Sequence, residues 1–320
     1  SFDSYWHLQT GLDWINKGLS PYIDHFSYTF EGKATGAPIV FQGLLALLHN
    51  QFGLEPAYQL YKLIGFFLAF GLFTWFLRRL KSPAVVFLAL LPLFALLLQL
   101  RSIVRPELLS YSFSIIGLML YHRANGHVSF RTVFPICVLL LVWTNYHTPI
   151  LGYILFFGFF IDAAYRQFSD RAELSTWIRW FLWGLAVLGV GFLNRNFGHA
   201  IIGAFNFAPE WKDFIQEYQS AALYKHLIAI YGLAIVAAAT AILAIVRKRP
   251  GYLVVTLIFT YYSLNSARLV TPCGIIVLGM FASLLSELDL RDVVRRQGTI
   301  FKSTTVVAVL FITLSSLYSV

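Results

Sequence analysis

The sequence predicts an all-α protein, a polytopic bundle of transmembrane helices, and three observations predict it. Apolar runs of membrane-crossing length recur along the chain, charged residues make up only 12% of it, and basic residues concentrate in alternate connections between the runs. A soluble domain carries about a quarter charged residues. These 320 residues therefore hold too few polar groups to coat a water-facing surface. An aromatic content of 17% suits lipid-facing helices and interfacial belts.

Crossing the hydrocarbon takes about 20 mostly apolar residues, fewer where neighbouring helices shelter the ends. Ten runs meet this: 56–77, 83–100, 106–121, 132–145, 148–164, 176–194, 223–246, 251–266, 269–287 and 303–320. Ahead of them, 1–54 reads as a first outer loop with interfacial helices, in which 38–50 is a shorter apolar stretch, interfacial or re-entrant. Residues 55–320 read as the bundle itself. Within it, 195–222 forms a long outer segment; its part 205–220 mixes Phe, Trp and Tyr with Glu210, Lys212, Asp213 and Glu217, as an amphipathic helix lying on a membrane does. A further helix is expected upstream of Ser1.

One set of connections holds 15 basic residues, among them Arg78, Arg79, Lys81, Arg123, Arg166, Arg247, Lys248 and Arg249, against six acidic ones. The other set holds nine of each sign. The whole surplus of +9 thus sits on alternate turns, as the positive-inside rule requires, and it places 1–54 outside and Arg78-Arg79-Leu80-Lys81 in the cytoplasm. Nucleic-acid binding is not needed to explain the basicity. Cys137 and Cys273 both fall in apolar runs and offer neither a disulfide framework nor metal-ligand spacing. The chain contains no phosphate-binding P-loop, serine-hydrolase elbow, paired-histidine zinc motif or dinucleotide fingerprint.

The outer connections carry the informative polar residues: Asp3 and His7, Asp24, Lys62, Arg101, Arg105 and Glu107, Asn145 and His147, Asn194, Glu210 and Glu217, and Arg268. Each outer connection contributes at least one, several at helix ends where a charge costs less than at mid-membrane.

In order, Asp3-Ser4-Tyr5-Trp6-His7-Leu8, Gly11, Asp13-Trp14-Ile15, Gly18, Pro21, Asp24 and Phe26-Ser27-Tyr28-Thr29 resemble the first outer loop of bacterial GT-C membrane glycosyltransferases. The stretches Arg105-Pro106-Glu107-Leu108-Leu109-Ser110, Trp143-x-Asn145-x-His147 and Asn194-Arg195-Asn196-Phe197-Gly198, with Glu217 and Ser220 after them, continue the resemblance over most of the chain. It is similar, more distantly, to protein O-mannosyltransferases and lipid A aminoarabinose transferases. The family's first acid would stand two positions ahead of Asp3, its His-Glu-Trp-Leu pattern is here Phe41-Gln42-Gly43-Leu44, and Thr148-Pro149 follow His147 in place of glycine.

The resemblance implies a bacterial inner-membrane enzyme with 1–54 in the periplasm. Its donor is a polyprenyl-phosphate sugar, its acceptor a glycan, lipid or protein, and its essential acid matches Asp3. Asp3 as general base would take a proton from an acceptor hydroxyl, a step contributing about 10²–10⁴ in rate. Arg101, Arg105, Arg268 and Lys62 would hold the donor phosphate, for which a guanidinium fork is suited. Asp24 and His7 would bind a divalent metal ion or orient the acceptor; Glu107, Asn145, His147 and Asn194 complete the substrate-binding candidates. Plainer roles stand beside these: a helix N-cap for Asp3, lipid anchoring for Arg101, Arg105 and Lys62, a first-turn helix-dipole acid for Glu107 and a satisfied loop histidine for His147. Two other classes compete, a non-catalytic subunit of this fold within a membrane assembly, and a transporter of lipid or sugar. Against the transporter stands the lack of an internal repeat or matched pair of broken helices.

Overall fold

A computed structural model describes residues 2–25, 32, 38–101, 103–193 and 227–288. Among the described residues the protein is all-helical and has no strand. Eleven α-helices and one 3-10 turn follow in order: α1 Phe2–Lys17, α2 Ile39–Phe52, α3 Leu54–Arg79, α4 Ala84–Gln99, α5 Glu107–Ala124, α6 Phe130–Tyr146, α7 Ile150–Ser169, α8 Leu174–Val190, α9 Leu227–Val246, α10 Pro250–Asn265, the 3-10 turn Ala267–Leu269 and α11 Val270–Ser286.

Helices α3 to α11 occupy in turn the nine runs from 56–77 to 269–287, whereas the run 303–320 lies outside the described residues. Among the described residues two helical stretches, Leu54–Arg79 and Ala267–Ser286, are long and apolar enough to cross a membrane. Helices α7 and α9 have 20 residues each, but several others are shorter: α4 has 16 residues, about 24 Å at 1.5 Å per residue, against a hydrocarbon thickness of about 30 Å. The expected segment 195–222 lies outside the described residues.

Local chemistry sets the helix limits. Pro106 precedes α5, and the helix stops where Asn125 turns left-handed at φ 45°. Ser129 and Thr132 form a reciprocal capping box that starts α6. Pro250 opens α10, where its missing N–H has no helical partner to lose.

Helix α11 is the axis of the bundle. Of its 17 residues, 14 are buried, including Cys273, Ile276, Met280 and Leu284, and α4, α5, α9 and α10 pack around it. At the periphery, α8 buries Val187 alone. Its Leu174, Ile178, Phe181, Leu182, Leu185 and Leu188 are exposed, as are Phe67 on α3 and Ile235 on α9. Helices α1 and α2 pair with each other, and α2 packs on α3. A Cβ on Gly11 would overlap the Gln42 carbonyl oxygen, so the two backbones touch because Gly11 has no side chain. This contact holds α1 against one end of the bundle.

Candidate functional site

At that end the segment 101–106 joins α4 to α5, and it is held from both sides. Ser4, buried near the start of α1, donates its hydroxyl to the Val104 carbonyl at 2.7 Å. Tyr61 on α3 donates to the Arg105 carbonyl at 2.9 Å and meets the Tyr146 hydroxyl at 2.6 Å. Ser4 thus satisfies a backbone carbonyl of this irregular connection, and Tyr61 adds to the Arg105 carbonyl a second bond beside the one from the Leu108 N–H at 3.2 Å. As a result, α1, α3, the last turn of α6 and the start of α5 become neighbours.

Glu107 is the first residue of α5. Its Oε1 accepts a hydrogen bond from Arg268 Nη2 at 2.6 Å, and Arg101 Nη2 approaches the same oxygen at 3.9 Å. Arg101 also lies against the Tyr111 hydroxyl. The side chains of Arg101 and Glu107 are 12% and 14% exposed and that of Arg268 27%, so water screens this group only in part. One turn on, Ser110 Oγ meets His147 Nδ1 at 3.2 Å. Burial holds the His147 pKa below its ordinary value, the Glu107 carboxylate works the other way, and Arg268 reinforces burial. With His147 neutral, Arg101 and Arg268 stand against Glu107, leaving this cluster with a surplus of one positive charge.

A second group adjoins the first. His7 Nδ1 meets Gln42 Nε2 at 3.2 Å, and the His7 ring packs edge-on against Phe41 at 5.1 Å. Phe41 in turn contacts Tyr61 and Tyr146. The Trp6 indole donates to Asp24 Oδ2 at 3.4 Å, and Asp24 is buried. A chain of ring contacts therefore links His7 to the Arg105 connection.

The expected residues separate accordingly. Arg101, Arg105, Glu107, His147 and Arg268 gather at one place, with His7 and Asp24 beside it. Asp3 stands one residue before Ser4 in α1, so its backbone adjoins Val104; its side chain lies outside the described structure. Lys62 is half-buried beside Tyr61 on α3, rotated about 100° around the helix from it. Asn145 does not join the group: its amide donates to the Leu141 carbonyl of its own helix at 2.9 Å. Asn194 lies outside the described residues. Ser4, Gln42, Tyr61, Ser110 and Tyr146 were absent from the sequence-based set. Tyr61 and Tyr146 carried a usable signal, since a buried phenol in an apolar helix needs a hydrogen-bond partner.

Among the described residues, no three of His, Cys, Asp and Glu come close enough together to hold a metal ion. His7 and Asp24, the sequence-based choice for one, are instead engaged by Gln42 and Trp6. The arrangement offers guanidinium groups for an oxyanion, a carboxylate within their reach, and a neutral imidazole. No protein-family profile matches the chain, and no curated protein matches it.

Proposed function

We propose that the chain is an integral-membrane glycosyltransferase of GT-C type. It moves a sugar from a polyprenyl-phosphate carrier to an acceptor at the outer face of a bacterial inner membrane, with α3 to α11 and the run 303–320 as its ten crossings. One observation carries the reading. The Ser4–Val104 bond ties the helix that bears Asp3 to the connection that bears Arg101 and Arg105, next to Glu107 and Arg268.

In this mechanism the acceptor hydroxyl gives its proton to the Asp3 carboxylate and its oxygen forms a bond to the anomeric carbon. The bond from that carbon to the carrier phosphate breaks, and the electron pair leaves with the phosphate. Arg101, Arg105 and Arg268 bind the anion that is released, and their partial burial strengthens each contact. His147 and Ser110 fix the end of α6 against α5, and His7 orients the acceptor side.

Two further facts support the membrane and transferase readings. Exposed large apolar side chains on α3, α6, α8 and α9 suit a lipid surface. Four hydroxyls within the helices turn back to their own backbones: Ser114 to Ser110, Thr240 to Val236, Thr260 to Thr256 and Ser263 to Phe259. Used in this way, they do not line a path for a transported solute.

The test is sugar transfer by purified protein in proteoliposomes, supplied with a panel of undecaprenyl-phosphate sugars and membrane-extract acceptors. The wild type should transfer from one donor, and Asp3→Asn should lose about 10²–10⁴ in rate with normal membrane insertion. Undiminished transfer by the variant removes Asp3 from the mechanism; failure of the wild type with every donor removes the transferase reading.

A further inference from the structure

We infer that Glu107 is a resident counter-anion, occupying the place that a phosphate takes between Arg268 and Arg101, so that the phosphate must displace its carboxylate. The inference rests on the proposed function for the identity of the phosphate carrier, but its geometry stands by itself. Two guanidinium groups from distant parts of the chain, one on the α4–α5 connection and one on the 3-10 turn before α11, converge on a single oxygen, Glu107 Oε1. That oxygen serves them unequally. Arg268 bonds it at 2.6 Å, while Arg101 stays at 3.9 Å, beyond hydrogen-bond range. Arg101 meanwhile lies on the Tyr111 hydroxyl; the single Glu107 oxygen bonds only one of the two forks, whereas a phosphate presents several oxygens in different directions and can reach both.

Exposure sets the order of events. Arg268 is the most accessible of the three side chains, and it sits on a three-residue 3-10 turn between α10 and α11. An incoming phosphate meets this guanidinium first, takes over its bond, reaches Arg101 with a second oxygen, and leaves the Glu107 carboxylate to turn toward solvent. The empty site thereby avoids packing uncompensated cations together, and weakly held anions are rejected because they cannot outcompete a tethered carboxylate. The Arg268–Glu107 pair also fastens the 3-10 turn to α5, so phosphate binding loosens that turn.

The experiment measures binding of undecaprenyl phosphate to the full chain in phosphatidylcholine nanodiscs, with inorganic phosphate as a soluble second probe. Glu107→Gln should bind undecaprenyl phosphate about tenfold more tightly than the wild type, the scale of one charge-assisted hydrogen bond no longer in competition. Glu107→Asp, with its carboxylate drawn back by one methylene, should fall between the two and serves if Glu107→Gln does not fold. Arg268→Ala should abolish the gain when combined with Glu107→Gln. Tightening with the lipid alone, or with both probes, supports the displacement. Weaker or unchanged binding by folded Glu107→Gln and Glu107→Asp means that Glu107 positions Arg268 instead, and overturns it. Sugar transfer, measured separately, distinguishes the two proposals: tightening without transfer leaves the counter-anion standing and removes the transferase.

Discussion

Single residues around Glu107 are set by partners far away in sequence. Glu107 and Arg268 are 161 positions apart, and Ser4 and Val104 are 100 apart. Composition and charge placed Arg101, Arg105, Glu107, His147 and Arg268 on one side of the chain's alternation, and the fold brings them together. Asn145 shows the limit: a polar residue at a helix end is equally served by the carbonyl four residues back, and no linear pattern separates the two outcomes. His147 gives a pH dependence with a definite sign. Its folded-state pKa lies below the ordinary 6.5, with burial the leading cause, Glu107 opposing and Arg268 assisting. The unfolded chain therefore takes up the proton first. This contribution to stability is present above about pH 6.5 and is lost as the pH falls further. Thermal unfolding in detergent should show the loss between about pH 7 and pH 5, and His147→Gln, which cannot titrate, should show a smaller one. An equal fall in both proteins would remove His147 as its source.

Whole elements were legible where they are apolar and long, and their contacts were not. The nine runs from 56–77 to 269–287 each contain a helix, whose internal hydrogen bonds satisfy the backbone of an apolar stretch within itself. The turns at the opposite end add a detail that charge counting missed. Lys81, Arg171 and Lys248 all adopt left-handed backbone at φ 52°, 51° and 53°. The next N–H reaches back five residues in each case, Ser82 to Leu77, Ala172 to Gln167 and Arg249 to Ala244. These are Schellman C-caps in which a basic residue stands where glycine is usual, so the cations from which the sequence predicts a cytoplasmic side also close helices whose C-terminal dipoles favour them. Nearby, Asp162 on α7 accepts the Gly251 N–H at 2.6 Å and the Tyr121 hydroxyl at 2.9 Å, capping the start of α10. An acid inside an apolar helix signals such a partner, but its identity is a tertiary fact. Just there α7 and α10 cross backbone to backbone. A Cβ on Gly251 would overlap the Gly158 carbonyl oxygen, and one on Gly158 would lie 2.9 Å from the Gly251 carbonyl oxygen. Gly251→Ala should therefore cost about 3 kcal/mol, the upper end of overpacking penalties, because backbone rather than a side chain must move. Gly71→Ala, on α3 with open space around it, should instead gain up to about 1 kcal/mol from helix propensity. Unfolding in detergent mixtures measures both, and equal effects would contradict the crossing.

For the molecule as a whole, the decisive contrast is between its two ends. One gathers Arg101, Glu107, Arg268 and His147 around an irregular connection. The other holds Arg249 on Glu287 at 2.8 Å and on Asn125 at 2.6 Å, with Arg166 against His127 at 3.0 Å. Between them the exposed side chains of α8 from Phe181 onward are apolar, a surface that water penalises by roughly 25 cal/mol per Å² and lipid does not. The expected orientation comes from the positive-inside bias, which is a sum over many residues and survives errors at any one boundary. What it left unreadable is depth, since a 16-residue helix such as α4 crosses fully only if the bundle shelters its ends. The orientation can be tested in intact cells of a Cys137→Ala, Cys273→Ala background carrying one new cysteine at a time. Glu55→Cys, at the start of α3, should react with a membrane-impermeant maleimide directly. Lys248→Cys, exposed in the turn between α9 and α10, should react only after permeabilisation. Labelling of both positions from the same side would show that the two ends do not face opposite compartments. The proposed outer reaction centre, with Glu107 and Arg268 on the Glu55 side, would then lose its access to a lipid-linked donor at the outer face.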